Sequence, residues 1–346
     1  MTTADFAALR FVLAGSVGSS RRTFEGLLRH RANVVGVLGL SRDASQNVSG
    51  YARLDDLATG AGVEYEDFRG INDETTVETV RRWAPDLFFV VGLSQLVKDD
   101  LLKLPRLGCV GFHPTQLPQG RGRAPLAWLT MDAEPGAATF FLMDEGVDSG
   151  AILAQETYAV SEHDYASDVV EKMDAAIDAA LDRWLPGLLA GRWEPQPQDD
   201  RQATYNGRRS PADGLIDWRR PAREILALIR ATSRPHPGAY SYYKRNRLIV
   251  WRAAVARDIP FRGVPGRVLL ADDERGHLVQ TGEGLLWLTE IESAEEGGAT
   301  DAIRLGVGQK LGYSAEDEVH RLSQRIAVLE QRIEALSQQL PSDRNE

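Results

Sequence analysis

Residues 11–40 of the chain read FVLAGSVGSSRRTFEGLLRHRANVVGVLGL. Two apolar runs typical of buried strands, Phe11–Ala14 and Asn33–Leu40, flank a stretch with helical spacing through Leu27 and Leu28. Strand, helix and strand in this order make up the unit from which parallel sheets are built. The alternation continues through a helix at Ala52–Ala61, a strand at Val63–Phe68, a helix at Thr75–Trp83, and strands at Asp86–Val91 and Cys109–Phe112. The first half of the chain is therefore predicted to be an α/β domain with a doubly wound, Rossmann-like sheet.

The glycines that follow the first strand do not form a dinucleotide-binding motif. Gly15 and Gly18 are present, but no glycine stands at the last position of the G-x-G-x-x-G spacing. We interpret this segment as a tight strand-to-helix turn, which argues against a nicotinamide site.

The length of the chain indicates more than one domain, because 346 residues exceed a compact domain of about 100–200 residues. We expect a catalytic domain over residues 1–200, a smaller β-rich, barrel-like domain with a basic linker over 201–315, and a helix over 316–340. Ser161, with an acid three positions later, predicts the start of a long helix in the first domain. Its apolar stripe consists of Val169, Val170, Met173, Ile177, Leu181 and Leu185. The second domain is expected to contain a helix at Arg223–Ala231 and strands at Ala239–Tyr243, Leu248–Ala254, Gly266–Leu270 and Gly284–Glu290.

The last segment carries a heptad repeat. Apolar residues recur at alternating spacings of three and four, at Val319, Leu322, Ile326, Leu329, Ile333, Leu336 and Leu340. β-Branched residues at every a position except the last, Leu340, and leucine at the d positions favour a parallel two-stranded coiled coil. Arg325 at a g position could pair with Glu330 at the following e position of a partner. Residues 319–340 therefore predict a homodimer, with a helix packed on its own domain as the alternative.

Composition limits the classes of function that the chain could have. The formal net charge of −10 argues against a nucleic-acid partner. No apolar run approaches the ~20 residues that span a bilayer, and no signal peptide is evident. With Cys109 as the single cysteine, the chain suits a reducing compartment. We therefore expect a cytoplasmic protein that has no membrane partner.

The charge is unevenly distributed. Between Arg201 and Arg252 there are twelve Lys and Arg against three acids, which gives a local net charge of +9 and leaves −19 on the rest of the chain. A basic segment inside an acidic protein is typical of a site for one anionic ligand, and a solvated basic linker is the alternative.

The motif most informative about function is GCVGFHPTQLPQGRGRAP, residues 108–125. It places His113 at the end of an apolar strand. A second apolar run, residues 138–143, precedes Asp148. Histidine near neutral pH takes up a proton from a nucleophile, and a nearby carboxylate orients the ring and stabilises the imidazolium. If the ends of the two strands meet, His113 and Asp148 form such a pair. No His, Cys or Asp spacing typical of zinc accompanies them, so we expect no metal.

These motifs carry a family resemblance. The segments His113–Pro118, Arg121–Pro125 and Asp144–Gly150 resemble those of the folate-dependent formyltransferases. That superfamily includes methionyl-tRNA formyltransferase and the nucleotide-sugar N-formyltransferases, and the latter are the more similar. Residues 207–218 and 229–239 look like the family's linker and the start of its C-terminal domain. The heptad segment lies outside the resemblance.

The resemblance implies transfer of a formyl group from N10-formyltetrahydrofolate to a primary amine. His113 would accept the proton of the amine, and Asp148 would support His113. The family has an asparagine two positions before the histidine, whose amide holds the formyl oxygen, and here that position is Gly111. Loss of one such donor typically lowers the rate by ~10²–10³. Three explanations remain open: a water or another side chain (Gln95, Thr115 or Gln116) replaces the donor, the substrates differ, or the protein is inactive.

The resemblance also implies where the substrates bind. Folate would lie between residues 92–96 and 147–148, so Leu93, Gln95, Leu96 and Val147 are candidate contacts, with core packing as the alternative for the two leucines.

The candidates for binding a nucleotide diphosphate are Arg208, Arg209 and Arg230, because guanidinium groups match phosphate oxygens. A structural ion pair is the alternative for Arg230. The expected acceptor is a nucleotide-linked amino sugar, and initiator tRNA is the alternative. We rank tRNA second because its binding needs broader phosphate neutralisation than this acidic chain offers.

Overall fold

The computed structural model describes residues 6, 8–46, 48–244, 246–293, 305–312 and 315–339. Position 340 of the heptad, and residues 294–304 within the expected second domain, lie outside the described residues. Among the described residues, no helix combines the length and apolar character needed to cross a bilayer.

The N-terminal half forms an α/β domain, which confirms the predicted fold class. A seven-stranded sheet has the order β3-β2-β1-β4-β5-β7-β8. The first five strands in that order run parallel, whereas β7 and β8 are antiparallel to their neighbours. The strands are β1 (Arg10–Gly15), β2 (Asn33–Leu40), β3 (Tyr65–Phe68), β4 (Leu87–Val91), β5 (Gly108–His113), β7 (Gly136–Leu142) and β8 (Ile152–Tyr158). The short strand β6 (Arg121–Gly122) lies outside this sheet.

Helices cover both faces of the sheet, because alternate residues of its central strands point to opposite sides. One core joins Phe11 and Phe89 to Phe24 and Leu181. The other joins Val12, Phe88 and Cys109 to Val80 and Trp83. The helices of this domain are α1 (Gly18–Arg29), α2 (Asp55–Ala61), α3 (Glu74–Trp83), α4 (Asp99–Leu102), α5 (Pro125–Asp132) and α6 (Ala166–Leu189).

The helix predicted to start at Ser161 starts later. The backbone N–H of Ser161 does donate to the Asp164 carboxylate, over 2.7 Å, but the bond closes an isolated turn. A second such bond, from the N–H of Tyr165 to Asp168, begins α6. Of the predicted apolar stripe, Val169, Met173, Ile177, Leu181 and Leu185 are buried, and Val170 is half-buried against the same core.

The C-terminal half contains a separate antiparallel sheet of five strands in the order β10-β11-β14-β13-β12, with helix α7 (Ala222–Thr232) against it. Helix α7 also packs on α5 of the first domain. The strands are β10 (Ala239–Tyr243), β11 (Asn246–Ala256), β12 (Val268–Asp272), β13 (Gly276–Gln280) and β14 (Leu285–Ser293). Strand β13 is missing from the sequence prediction. A final helix, α8 (Ala315–Gln339), carries the heptad repeat.

Candidate active site

His113 is the last residue of β5, and its side chain is only 6% exposed. The ring Nε2 lies 2.8 Å from the carbonyl oxygen of Gly120. A carbonyl only accepts hydrogen bonds, so Nε2 must carry the hydrogen in the neutral ring. Nδ1 is then the basic atom. It lies 3.5 Å from Oδ2 of Asp148, where an imidazolium would be stabilised.

Asp148 reaches His113 by a route different from the one that the sequence suggests. Strands β5 and β7 are antiparallel, with His113 paired to Thr139. The C-terminal ends of the two strands therefore point in opposite directions and are not adjacent. Instead, the connection from β7 to β8 forms a loop that is closed at its base by a 2.8 Å bond from the N–H of Leu142 to the carbonyl of Ala151. The loop brings the Asp148 carboxylate, which is 21% exposed, back to the histidine.

The backbone around the pair fixes its geometry. Asp148 adopts a left-handed conformation, with φ of 51°. Its Oδ2 accepts a 2.9 Å hydrogen bond from the N–H of Gly122. Gly122 has φ of 106°, and a β-carbon there would lie 2.5 Å from the carbonyl oxygen of Asn206. Glycine is therefore required at position 122 for both conformation and space.

A segment from the linker completes the site. Strand β9 (Tyr205–Asn206) pairs with β6, so the linker runs alongside the loop that holds His113. The N–H of Gly120 donates to Oγ1 of Thr204 over 2.8 Å. The N–H of Arg123 donates to the carbonyl of Asn206 over 3.0 Å. The sequence reasoning missed this pairing, because two-residue strands leave no periodic signal.

Gly111 faces side chains of its own sheet. A β-carbon at Gly111 would lie 2.7 Å from Cζ of Phe141 and 3.0 Å from Cγ of Met143.

Two of the side chains suggested as substitute donors, Gln95 and Thr115, already make hydrogen bonds within the protein. The amide of Gln95 donates to the carbonyl of Arg69 and accepts from the N–H of Ile71. The hydroxyl of Thr115 donates to the carbonyl of Gln119.

The candidate folate contacts differ in their exposure. Leu93 is half-buried against the second core. Leu96 and Val147, by contrast, are 81% and 53% exposed. Gln95 is held by its own loop contacts, as described above. The role of all four in folate binding stays a prediction.

The three candidate arginines lie in different environments. Arg208 is exposed. Arg209 lies over the ring of Trp128, with 5.0 Å from Cζ to the ring centroid, and donates to the carbonyl of Asp213.

Arg230 is 5% exposed and donates to the carbonyls of Ser161 and Asp164 at 3.3 and 2.9 Å. Burial lowers the pKa of its guanidinium. Arg230 thus ties α7 to the first domain, and diphosphate binding by all three arginines stays a prediction.

Within the described part of the chain, no group of three His, Cys, Asp or Glu side chains is arranged to hold a metal ion. The site does present a titratable pair, His113 and Asp148. A basic imidazole beside a carboxylate, at the mouth of an α/β sheet, is typical of enzymes that remove a proton during group transfer.

The chain belongs to the formyl transferase family. The family pattern described as "Formyl transferase" matches residues 17–184. The pattern described as "Formyl transferase, C-terminal domain" matches residues 208–300. The two together cover most of the chain and include both halves described above.

Solved structures have the same fold at low sequence identity. HypX from Aquifex aeolicus, in complex with tetrahydrofolic acid, is 19% identical with a TM-score of 0.60; the match covers 83% of this chain and 44% of HypX. The chain spans about half the length of the HypX structures that it matches. An N-formyltransferase from Helicobacter canadensis, in complex with folinic acid and dTDP-3-aminofucose, is 15% identical with a TM-score of 0.59, covering 81% of this chain and 99% of that one. Methionyl-tRNA formyltransferase from Clostridium thermocellum is 20% identical with a TM-score of 0.51, covering 72% and 95%.

Proposed function

We propose that the protein transfers the formyl group of N10-formyltetrahydrofolate to the primary amine of a nucleotide-linked amino sugar. The observation that carries this proposal is the His113–Asp148 pair, in which Nδ1 of the ring faces the carboxylate at 3.5 Å. Family membership supplies the reaction class, and the site supplies a base with a defined tautomer.

The reaction needs one proton acceptor. The amine nitrogen attacks the formyl carbon and forms the new C–N bond, while the bond from that carbon to N10 breaks. N10 takes up a proton, so that overall one proton passes from the amine to N10. Nδ1 of His113 accepts the proton that the amine loses, and Asp148 stabilises the imidazolium. The carbonyl of Gly120 holds Nε2, so the ring keeps the orientation in which Nδ1, beside Asp148, is the acceptor nitrogen. A positioned base of this kind contributes roughly 10²–10⁴ to the rate.

A nucleotide sugar suits the charges of this chain better than tRNA does. The cationic side chains are concentrated in the linker and the start of the second domain, and the remainder is strongly acidic. A small diphosphate needs one or two guanidinium groups, whereas tRNA needs a broad cationic surface. The dTDP-3-aminofucose bound to the Helicobacter canadensis enzyme supports the same choice.

The test is a formyl-transfer assay with a panel of nucleotide amino sugars, in which tetrahydrofolate release and the mass of the formylated product are both measured. His113→Asn and Asp148→Asn should each lower kcat by roughly 10²–10³. His163→Asn is the matched control, because the His163 side chain is 86% exposed and lies beside Glu162, away from the site. If no amino sugar is formylated but methionyl-tRNA is, the acceptor proposal is wrong. If no amine is formylated, the protein is an inactive family member.

We further propose that α8 pairs with α8 of a second copy. Its heptad positions are exposed in the single chain: Val319, Leu322, Ile326, Leu329, Ile333 and Leu336 range from 44% to 63% exposed. An apolar stripe of this length in water favours burial against an identical stripe. This supports the coiled coil over packing of the helix on its own domain.

A further inference from the structure

Arg121 precedes Gly122 in β6 and is only 2% exposed. A buried guanidinium requires partners for its donors. One Nη donates to Asp200 over 2.7 Å, and the other donates to the hydroxyl of Tyr205 over 3.0 Å. Nε and one Nη donate to Oε1 of Gln198, over 3.2 and 2.8 Å. Arg121 thereby fixes Gln198 from one side.

The other end of the Gln198 side chain holds the loop that carries Asp148. Its Nε2 donates to the carbonyl of Asp148 over 2.9 Å and to the carbonyl of Gly150 over 2.7 Å. The orientation of this amide follows from its partners. Arg121 only donates and the two carbonyls only accept, so Oε1 must face the guanidinium and Nε2 must face the loop.

Asp148 needs such support, because its left-handed backbone is disfavoured for a residue with a β-carbon. Its carboxylate is held by the N–H of Gly122, and its backbone carbonyl is held by Gln198. Both anchors belong to one unit, since Gly122 follows Arg121 in β6. We propose that Gln198, itself fixed by Arg121, is a positioning residue that sets the Asp148 carboxylate against His113.

The role in catalysis rests on the proposed formyl transfer, whereas the geometric role does not. The test therefore combines kinetics with a spectroscopic readout that needs no activity. Gln198→Met keeps the length of the side chain and removes both sets of bonds. We expect kcat to fall about 10-fold while KM for the formyl donor stays within twofold, because a small misplacement of the base pair weakens the transition state more than binding. Protein labelled with ¹⁵N in its histidine rings should show shifted His113 resonances, and the other five histidines serve as internal references.

Gln196→Met is the matched control. Gln196 lies on the same segment, is exposed, and its side chain donates only to the carbonyl of Glu194. It should change neither kcat nor the His113 resonances. Gln198→Glu is the second variant, in case Gln198→Met fails to fold. It keeps an acceptor for Arg121 but loses the donor to the carbonyls, so the melting temperature should be retained while kcat falls and the His113 resonances move.

Three outcomes are distinguishable. Shifted His113 resonances with reduced kcat support the proposal. Shifted resonances in a protein whose wild type formylates no amine support the positioning role and overturn only the proposed function. Unmoved resonances and unchanged kcat in a folded Gln198 variant overturn the positioning role.

Discussion

Phe141 occupies the space beside Gly111 that an asparagine side chain would need. The two residues are paired across β5 and β7, and a β-carbon on Gly111 would lie 2.7 Å from Cζ of the phenyl ring. Phe141 is 4% exposed, so its ring has little freedom to move aside. Phe141 and Met143 therefore fill the space into which a side chain at position 111 would extend.

This packing predicts that Gly111→Asn will not increase formyl transfer. We expect kcat to be unchanged or lower, and the free energy of unfolding to fall by about 1–3 kcal/mol, because an overpacked core strains its neighbours. Urea denaturation and the formyl-transfer assay measure the two effects. Gly111→Ala is the control, since it introduces the same β-carbon without the amide. A large gain in kcat with Gly111→Asn alone would show that the ring yields and that the native site is defective.

Arg208 and Arg230 are predicted to separate binding from stability. Arg208→Ala should raise KM for the nucleotide sugar about 10-fold or more, since a charge-assisted bond to phosphate is worth about 1.5–3 kcal/mol, and leave the melting temperature unchanged. Arg230→Ala should lower the free energy of unfolding by about 2–3 kcal/mol, because it leaves the carbonyls of Ser161 and Asp164 without their donor. A change in KM with native stability for Arg230→Ala would instead make it a ligand of the substrate.

The central strands β1, β2, β4 and β5 were predictable because each is a largely apolar run that is mostly buried. The second strand was predicted with its observed bounds, Asn33–Leu40. The proximity of His113 and Asp148 was also predicted, but from the motif and for the wrong geometric reason, since an antiparallel partner and a returning loop produce it. Gln198 was not predictable from sequence. It lies 50 residues beyond Asp148, and only the folded loop reveals what its amide binds.

Asp174 is predicted to make stability depend on pH. It lies on α6, where burial raises the pKa of its carboxyl from 3.8 to about 6, and its Oδ1 has no hydrogen-bond partner. Between pH 3.8 and about 6, the folded state therefore retains a proton that the unfolded state has lost. The contribution of this proton to the free energy of unfolding is full below pH 3.8 and is lost as the pH rises through about 6.

Asp174→Asn removes that dependence. At pH 7.5 the variant should be more stable than the wild type, on the order of 1 kcal/mol by urea denaturation, and the difference should shrink towards pH 4. Asp178→Asn is the contrasting control, because Asp178 pairs with Arg22 and Arg29 and its loss should destabilise the protein at pH 7.5. A difference for Asp174→Asn that does not vary with pH would contradict the assignment.

The heptad stripe on α8 predicts a dimer that is sensitive to single substitutions. Leu329, at a d position, and Val328, one residue away at a c position, are 44% and 51% exposed in the single chain. Only Leu329 would be buried in a coiled coil. In a homodimer, Leu329→Lys removes two buried leucines, each worth about 1.5–3 kcal/mol, so it should raise the dimer dissociation constant by about two to four orders of magnitude. Val328→Lys should leave the constant unchanged. Sedimentation equilibrium of the full chain measures both, with circular dichroism as a check that the helix content is retained. Equal dissociation by the two variants, or a wild-type monomer at tens of micromolar, would mean that the stripe does not mediate self-association.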